Sequence, residues 1–237
     1  MALRPTLDLL AASPSRRLLL AVALPTVVAL GSAALLVSSP SACAQPVPAA
    51  ADAELIAAFK RFQQAGPNDH AAIDDAAERF AHLSAAHPTD PVLRAYAGAS
   101  TSMRATTTLL PWRKMSYAED GLALIDKALA QLTPAHDAAL HRGVPAVLET
   151  RFVAVGTFLA LPAMFNRNER GRKLLDQVLG SPLFGDSPLP FRAAVWLRAA
   201  QLAETDKQPA QARRWYELVA GSNAPQADLA RSKLKAL

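Results

Sequence analysis

Cysteine is nearly missing from this chain: Cys43 stands alone among 237 residues. A lone thiol excludes an intrachain disulfide, a cysteine-built zinc site and a CxxC redox pair, so stability has to come from packing. Glycine is sparse at 10 residues, and with 18 prolines it makes up too little of the chain for a collagenous or low-complexity protein. Charge is also thin. Charged residues are 19% against 51% hydrophobic, the reverse of a disordered composition, and the length suits one large domain or two small ones.

What is present begins with an address. Behind Arg16 and Arg17, residues 18–37 form an uncharged, mostly aliphatic run that exits through Ser38-Ser39-Pro40-Ser41-Ala42-Cys43-Ala44. Charged, then apolar, then small is the order of an export signal, and the expected cut follows Ala44. Three alternatives stay open. An apolar run of about 20 residues spans about 30 Å as a helix and could remain as a membrane anchor, although Pro25 and Gly31 interrupt it. Cys43 could carry lipid, but Pro40 stands where a lipoprotein signal usually has an aliphatic residue. The arginine pair could also mark a twin-arginine signal. Cleavage after Ala44 would leave 193 residues with no cysteine and a net charge of +3 instead of the whole chain's +5. So small an excess does not call for nucleic acid, which needs clustered cations to displace phosphate counterions.

The remainder reads as helix after helix. Residues 1–44 are the signal, 45–51 a Pro/Ala-rich linker, and 52–237 a helical domain. Leu55, Ile56, Phe59 and Phe62 form one stripe. Ile73, Ala76, Ala77, Phe80 and Leu83 form another after the breaker Gly66-Pro67-Asn68-Asp69. Further helices are expected over 91–106, opened by Pro91, and over 117–132, 145–161, 167–179, 189–203, 209–220 and 224–237, with a short one at 134–140. Asn166 and Glu169 are placed as a loose capping box for the 167–179 helix. Residues 107–114 read as a long apolar connection. No stretch alternates with a period of two, so no sheet is expected.

The second helices share a series of a small residue, a large apolar one four positions on, another apolar one three further, and a closing proline. It runs Ala76, Phe80, Leu83, Pro88; Gly121, Ile125, Ala128, Pro134; Gly171, Leu175, Val178, Pro182; and Ala212, Tyr216, Val219, Pro225. The small member would let a helix sit close to its neighbour, and the large one would plug the hole between pairs. This series resembles the tetratricopeptide repeat, a helix-turn-helix unit of about 34 residues. Trp196, 16 residues before Ala212, has the separation that family uses, and Tyr96-Ala97-Gly98 is a fainter likeness. The anchors here lie 45, 50 and 41 residues apart, and three of the four first helices lack the tryptophan. The resemblance implies an all-α, tetratricopeptide-like α-solenoid of about four hairpins that binds partners in a groove. By that groove logic Arg94, Ser102, Gln201 and Glu204 are candidate partner contacts.

Catalytic chemistry is not visible. There is no HExxH, phosphate loop, GxSxG or dinucleotide fingerprint, and His136 and His141 are five apart, off-face on a helix. His82 and His87 straddle a helix end, and Asp74-Asp75 and Glu119-Asp120 fall where first-turn acids are expected. No catalytic residue, metal or cofactor is therefore assigned. Binding has better candidates. Leu109-Leu110-Pro111-Trp112-Arg113-Lys114 has hot-spot composition, unless Trp112 folds back over a hairpin interface. Arg151 lies in an apolar helix, so it either reaches a groove or is neutralised by Glu149 or another acid. Arg167, Arg170, Arg172 and Lys173 cluster at a helix start, suited to an anionic partner or to a solvated face. The expectation is an exported, non-catalytic scaffold in a Gram-negative-type cell envelope that binds a protein or peptide. The alternative is an α-helical enzyme or small-ligand receptor with a site near Trp112, Arg151 and His141.

Overall fold

In the computed structural model, residues 48–66 and 69–237 are described; the export signal, Cys43 and the 18–37 run lie outside them. Nine α-helices are formed among the described residues: α1 (Pro48–Gln64), α2 (His70–Ala86), α3 (Pro91–Met103), α4 (Pro111–Ala130), α5 (Ala146–Ala160), α6 (Asn168–Leu179), α7 (Leu189–Thr205), α8 (Pro209–Ala220) and α9 (Ala227–Ala236). The fold is all-α in class. Neighbours in sequence pack as antiparallel-type pairs, α1 with α2, α3 with α4, α5 with α6 and α7 with α8, and α9 closes on α8. Successive pairs touch mainly through α3, which packs on both α2 and α5.

Local chemistry sets the boundaries. Asp69 caps α2 by accepting from the Ala72 N–H at 2.9 Å, and Asp90 caps α3 by accepting from Val92 and Leu93 at 2.8 and 3.1 Å. Proline occupies the first turn of α3, α4, α7 and α8, where its missing N–H leaves no bond unmade. All twelve helical members of the small-and-large series are buried, while Pro88, Pro134, Pro182 and Pro225 lie exposed outside the α-helices. Gly98 and Gly121 show what the small member does. A Cβ on Gly121 would stand 2.5 Å from the Gly98 carbonyl oxygen, so α3 and α4 cross backbone to backbone. The large members fill gaps between helices: Phe80 stacks on Tyr96 of α3 with ring centroids 4.9 Å apart, and Ile125 joins Leu148, Phe158, Leu175 and Val195 in the central core.

Several expectations are corrected. The linker expected over 45–51 gives way to helix at Pro48. Residues 111–114 are not loop but the first turn of α4, because Pro111 begins a helix as readily as it ends one. Asn166 does not cap α6. It sits at φ 52° closing a 3-10 turn over Ala163–Phe165, and Arg167 occupies the capping position without a side-chain bond. The helix expected over 134–140 is only a 3-10 turn, Pro134–Asp137, and it is followed by a small antiparallel sheet: β1 (Ala139–His141) and β2 (Val144–Pro145). Arg142 and Gly143 make the turn between them at φ 45° and 70°, the positive angles that a two-residue hairpin of the type I′ kind demands. Strands of three and two residues are too short for alternation to register in a sequence.

Candidate functional site

The β1–β2 hairpin reaches back onto the first two helix pairs and builds a buried polar lock. Tyr96 of α3 donates its hydroxyl proton to Glu149 Oε1 of α5 at 3.1 Å, and the Arg142 guanidinium donates to both Tyr96 Oη, at 2.5 Å, and Glu149. Arg142 also lies over the Phe59 ring of α1, 4.0 Å from its centroid. Glu149 is 1% exposed, so the guanidinium supplies the countercharge that burial requires. Burial, reinforced by the Glu149 charge, pushes the Tyr96 hydroxyl well above its ordinary value, so it stays a proton donor. Beside this lock, His141 Nε2 lies 2.6 Å from Asp90 Oδ2. Burial opposes ionisation of Asp90, but hydrogen bonds from His141 and from the Leu93 and Val92 N–H groups outweigh it and hold the carboxyl below its usual range. Tyr96, Arg142 and Glu149 Oε1 are engaged with one another, whereas Glu149 Oε2 is buried without a hydrogen-bond partner among the described residues. These contacts tie the hairpin to α1, α3 and α5, and Asp90 and Arg142 each also line an open depression at the surface.

The predicted residues scatter. Arg94 and Ser102 are buried in α3, Arg94 donating to the Pro88 carbonyl at 2.7 Å and Ser102 lying against Gly121, so neither faces a groove. Glu204 is half-buried and turned inward, accepting from the Tyr216 hydroxyl at 2.8 Å with Lys233 Nζ at 3.6 Å. Arg151 is not neutralised by Glu149, which belongs to Arg142; among the described residues it makes no ion pair and is half-buried in α5. The basic cluster is largely neutralised within the fold. Arg167 and Arg170 pair with Asp126 at 2.8 and 2.5 Å, and Arg172 forks onto Asp206, with its Nη2 at 2.7 Å from Oδ1; Lys173 alone is exposed without a carboxylate among the described residues. Asp74 and Asp75 are not first-turn acids but ion-pair partners of Arg104 and of Arg61 and Arg79. Glu119 and Asp120 lie well inside α4, since that helix starts earlier than expected.

Trp112, Arg113 and Lys114 do form an exposed set at the start of α4, and Trp112, 67% exposed, covers no interface. No hydrogen bond, ion pair or aromatic contact joins Trp112, Arg151 and His141 among the described residues; His141 meets Asp90 and Phe59 instead. Open depressions of about 500 and 430 Å³ lie elsewhere, one lined by His87, Thr89, Asp90, Gln131, His136 and Leu140, the other by Leu55, Ile56, Phe59, Lys60, Gln63 and Arg142. Among the described residues no group of three or more His, Cys, Asp or Glu side chains is placed to hold a metal ion.

A face that the sequence reading only brushed lies between α5 and α7. Phe152 of α5 meets Phe191 of α7 edge to face with centroids 5.5 Å apart, so half-buried surfaces of the two helices adjoin. A Cβ added at Gly156, one turn along α5 from Phe152, would meet nothing within 4 Å. On α7, Ala194, Arg198 and Gln201 follow at steps of four and three and share one side of the helix. Burial alone lowers the basicity of Arg198, and among the described residues no carboxylate pairs with it. Of the residues expected to touch a partner, Gln201 is the one this face contains. The Phe152, Gly156 and Arg198 positions carried no signal, because their distinction is what their neighbours leave uncovered.

Helix pairs joined by buried small and large anchors, with one short hairpin, define a protein of the all-α class among the described residues. No family model matches the chain, and neither does any curated protein or solved structure.

Proposed function

We propose that this chain is an exported, tetratricopeptide-like α-solenoid that works as a non-catalytic scaffold in a bacterial cell envelope, receiving an extended or helical segment of a protein partner. What supports the groove is one observation: the face shared by α5 and α7 has an apolar floor at Phe152 and Phe191, open space over Gly156, and a cation, Arg198, with no carboxylate among the described residues. A guanidinium in such a setting is completed by an acidic side chain or a chain-terminal carboxylate, and the aromatic floor receives apolar side chains. The groove therefore belongs to the C-terminal half, because the hairpin lock covers α3. Export is the part of the reading carried by residues 1–44, and mass measurement of the native N-terminus tests it directly.

Site-specific photocrosslinking tests the docking. A crosslinking residue at position 156 or 201 should trap one and the same envelope protein through a segment that includes an acidic residue, a crosslinker at the exposed Glu217 should not, and R198E should abolish the product. Equal yields from all three positions, or a product indifferent to R198E, would remove the basis for the groove.

A further inference from the structure

The junction before α4 exposes apolar side chains that the helix-pair packing does not use. Leu109, Leu110 and Trp112 are 91%, 38% and 67% exposed, and Pro111 between them is exposed as well. Leu110 is extended, and Pro111 fixes the first turn of α4, so the three side chains leave a short, rigid corner. Arg113 and Lys114 follow directly, both exposed and without an ion pair among the described residues. No acidic residue occurs from Thr107 to Ala118. The carboxylates of the packed neighbours are engaged: Asp74 and Glu78 with Arg104, and Asp120 with Ser116. Glu119 and Asp120 stand about 10 Å along the helix from this corner.

We propose that this corner docks on an anionic lipid surface, with Leu109, Leu110 and Trp112 entering the boundary between headgroups and acyl chains and Arg113 and Lys114 facing the lipid phosphates. The shape favours lipid over protein. A side chain that is 91% exposed stands clear of its own fold, and a protein partner would need a matching pocket, whereas a bilayer accepts a protruding apolar corner of any outline. Tryptophan suits the interface because its ring is apolar with one polar edge, and arginine and lysine lay their stems along the boundary while their charges stay in water. Three apolar side chains and two cations give reversible attachment rather than insertion. The inference does not depend on the groove between α5 and α7.

The test uses the full chain with phosphatidylcholine vesicles whose acyl chains are brominated, with and without phosphatidylglycerol. Trp112 emission should shift to the blue and be quenched on the anionic vesicles, and the effect should vanish in W112F, because Trp196 and Trp215 are partly buried in the last helix pair. Attachment through residues 18–37 cannot produce a Trp112 signal unless the corner itself meets lipid. R113Q/K114Q should raise the lipid concentration needed for half-maximal quenching about thirtyfold, and in L109S the quenching should fall although Trp112 is retained. Both variants alter only exposed side chains, so unchanged circular dichroism is expected. Trp112 left unquenched on vesicle-bound chain, or quenched equally on neutral vesicles, overturns the proposal. So does shielding of Trp112 by an envelope protein in the absence of lipid.

Discussion

Alanine at four glycines separates the two things a helical glycine does. In a helix interior, Gly to Ala gains about 1 kcal/mol from backbone entropy and helix propensity, provided the new methyl has room. At Gly121 it has none: the Cβ would stand 2.5 Å from the Gly98 carbonyl oxygen and 2.7 Å from the Ser102 nitrogen, both backbone atoms that cannot swing aside. To restore even 3.0 Å, α3 and α4 must part by at least about 0.5 Å along their crossing, loosening Ile125 and Ala128 beside it. Overpacking costs about 1–3 kcal/mol, and backbone against backbone belongs at or above the upper end, so G121A should lose about 2 kcal/mol net. G98A, facing the Gly121 carbonyl at 2.6 Å, should lose a similar amount. At Gly171 the nearest atoms are Leu159 Cδ2 and Cγ at 3.0 and 3.1 Å and Phe158 Cβ at 3.1 Å, all side-chain atoms, so gain and strain should roughly cancel. Gly156 meets nothing within 4 Å, and G156A should be about 1 kcal/mol more stable than the parent. Urea denaturation followed by circular dichroism ranks the four. If G121A proved as stable as G156A, α3 and α4 would not cross at these glycines, and the small-residue positions would have no role in close approach.

Removing Arg142 strands the Glu149 carboxylate, which is 1% exposed; because the guanidinium itself is 37% exposed, R142A should cost about 2 kcal/mol, below the range for a fully buried pair. Adding E149Q should restore more than half of that in thermal melts, and no recovery would mean that the charge is not what R142A leaves behind. The Arg172 guanidinium holds the Asp206 carboxyl below its ordinary value of 3.8, so the pair stabilises the fold above that pH and the contribution is lost as pH falls through and below it. D206N should therefore lower the melting temperature at neutral pH and flatten its decline in acid; an unchanged acid limb would contradict the pairing. Y216F removes the hydroxyl donated to Glu204 and should cost about 1 kcal/mol, with Glu204 still near Lys233 at 3.6 Å. A cost near zero in urea titrations would show that the bond contributes nothing beyond what water offers.

The helices were legible because their signals are local. Pro91, Pro209 and the stripe through Ile73, Phe80 and Leu83 act within one or two turns, and each marks an element that forms where expected. The small-and-large series was legible for a related reason, since all its helical members are buried, although only at Gly121 is the small residue shown to meet another backbone, that of Gly98, while Gly171 meets side chains. Polar placement was harder to read. Arg94 and Ser102 were expected in a groove only by the resemblance, yet α3 is flanked by α2, α4 and α5 and lies under the hairpin, so polarity along its sequence says little about exposure. Arg151 and Glu149 are two residues apart and do not face each other on a helix; the acid's partner, Arg142, arrives from a turn. Arg167 and Arg170 read as a free cationic patch because Asp126 lies more than 40 residues away in sequence. Side-chain pairing across elements leaves no periodic trace.

The uneven anchor spacing has a structural cause that bears on where a partner could dock. Gly121 and Gly171 are 50 residues apart, the widest step in the series, and between them lie the 3-10 turn Pro134–Asp137 and the β1–β2 hairpin. That added length carries Arg142 across to Phe59 and Tyr96, and it places His141 against Asp90 at the start of α3. Without it, the Tyr96 hydroxyl and Glu149 would form a polar spot between α3 and α5 with no countercharge. With it, the spot is filled by the chain's own guanidinium, and the first helix pairs are tied to the third. The open face between α5 and α7 has no such cover. On the proposed reading, the groove for a partner segment lies between α5 and α7 rather than at α3 because of the length and chemistry of that one connection. Shortening 139–145 to a plain turn should therefore expose Glu149 and destabilise the first two pairs more than the last, which hydrogen exchange of α2 and α3 against α7 and α8 would read directly. Uniform loss of protection across all four helices would mean that the hairpin supports every helix pair alike rather than the first two.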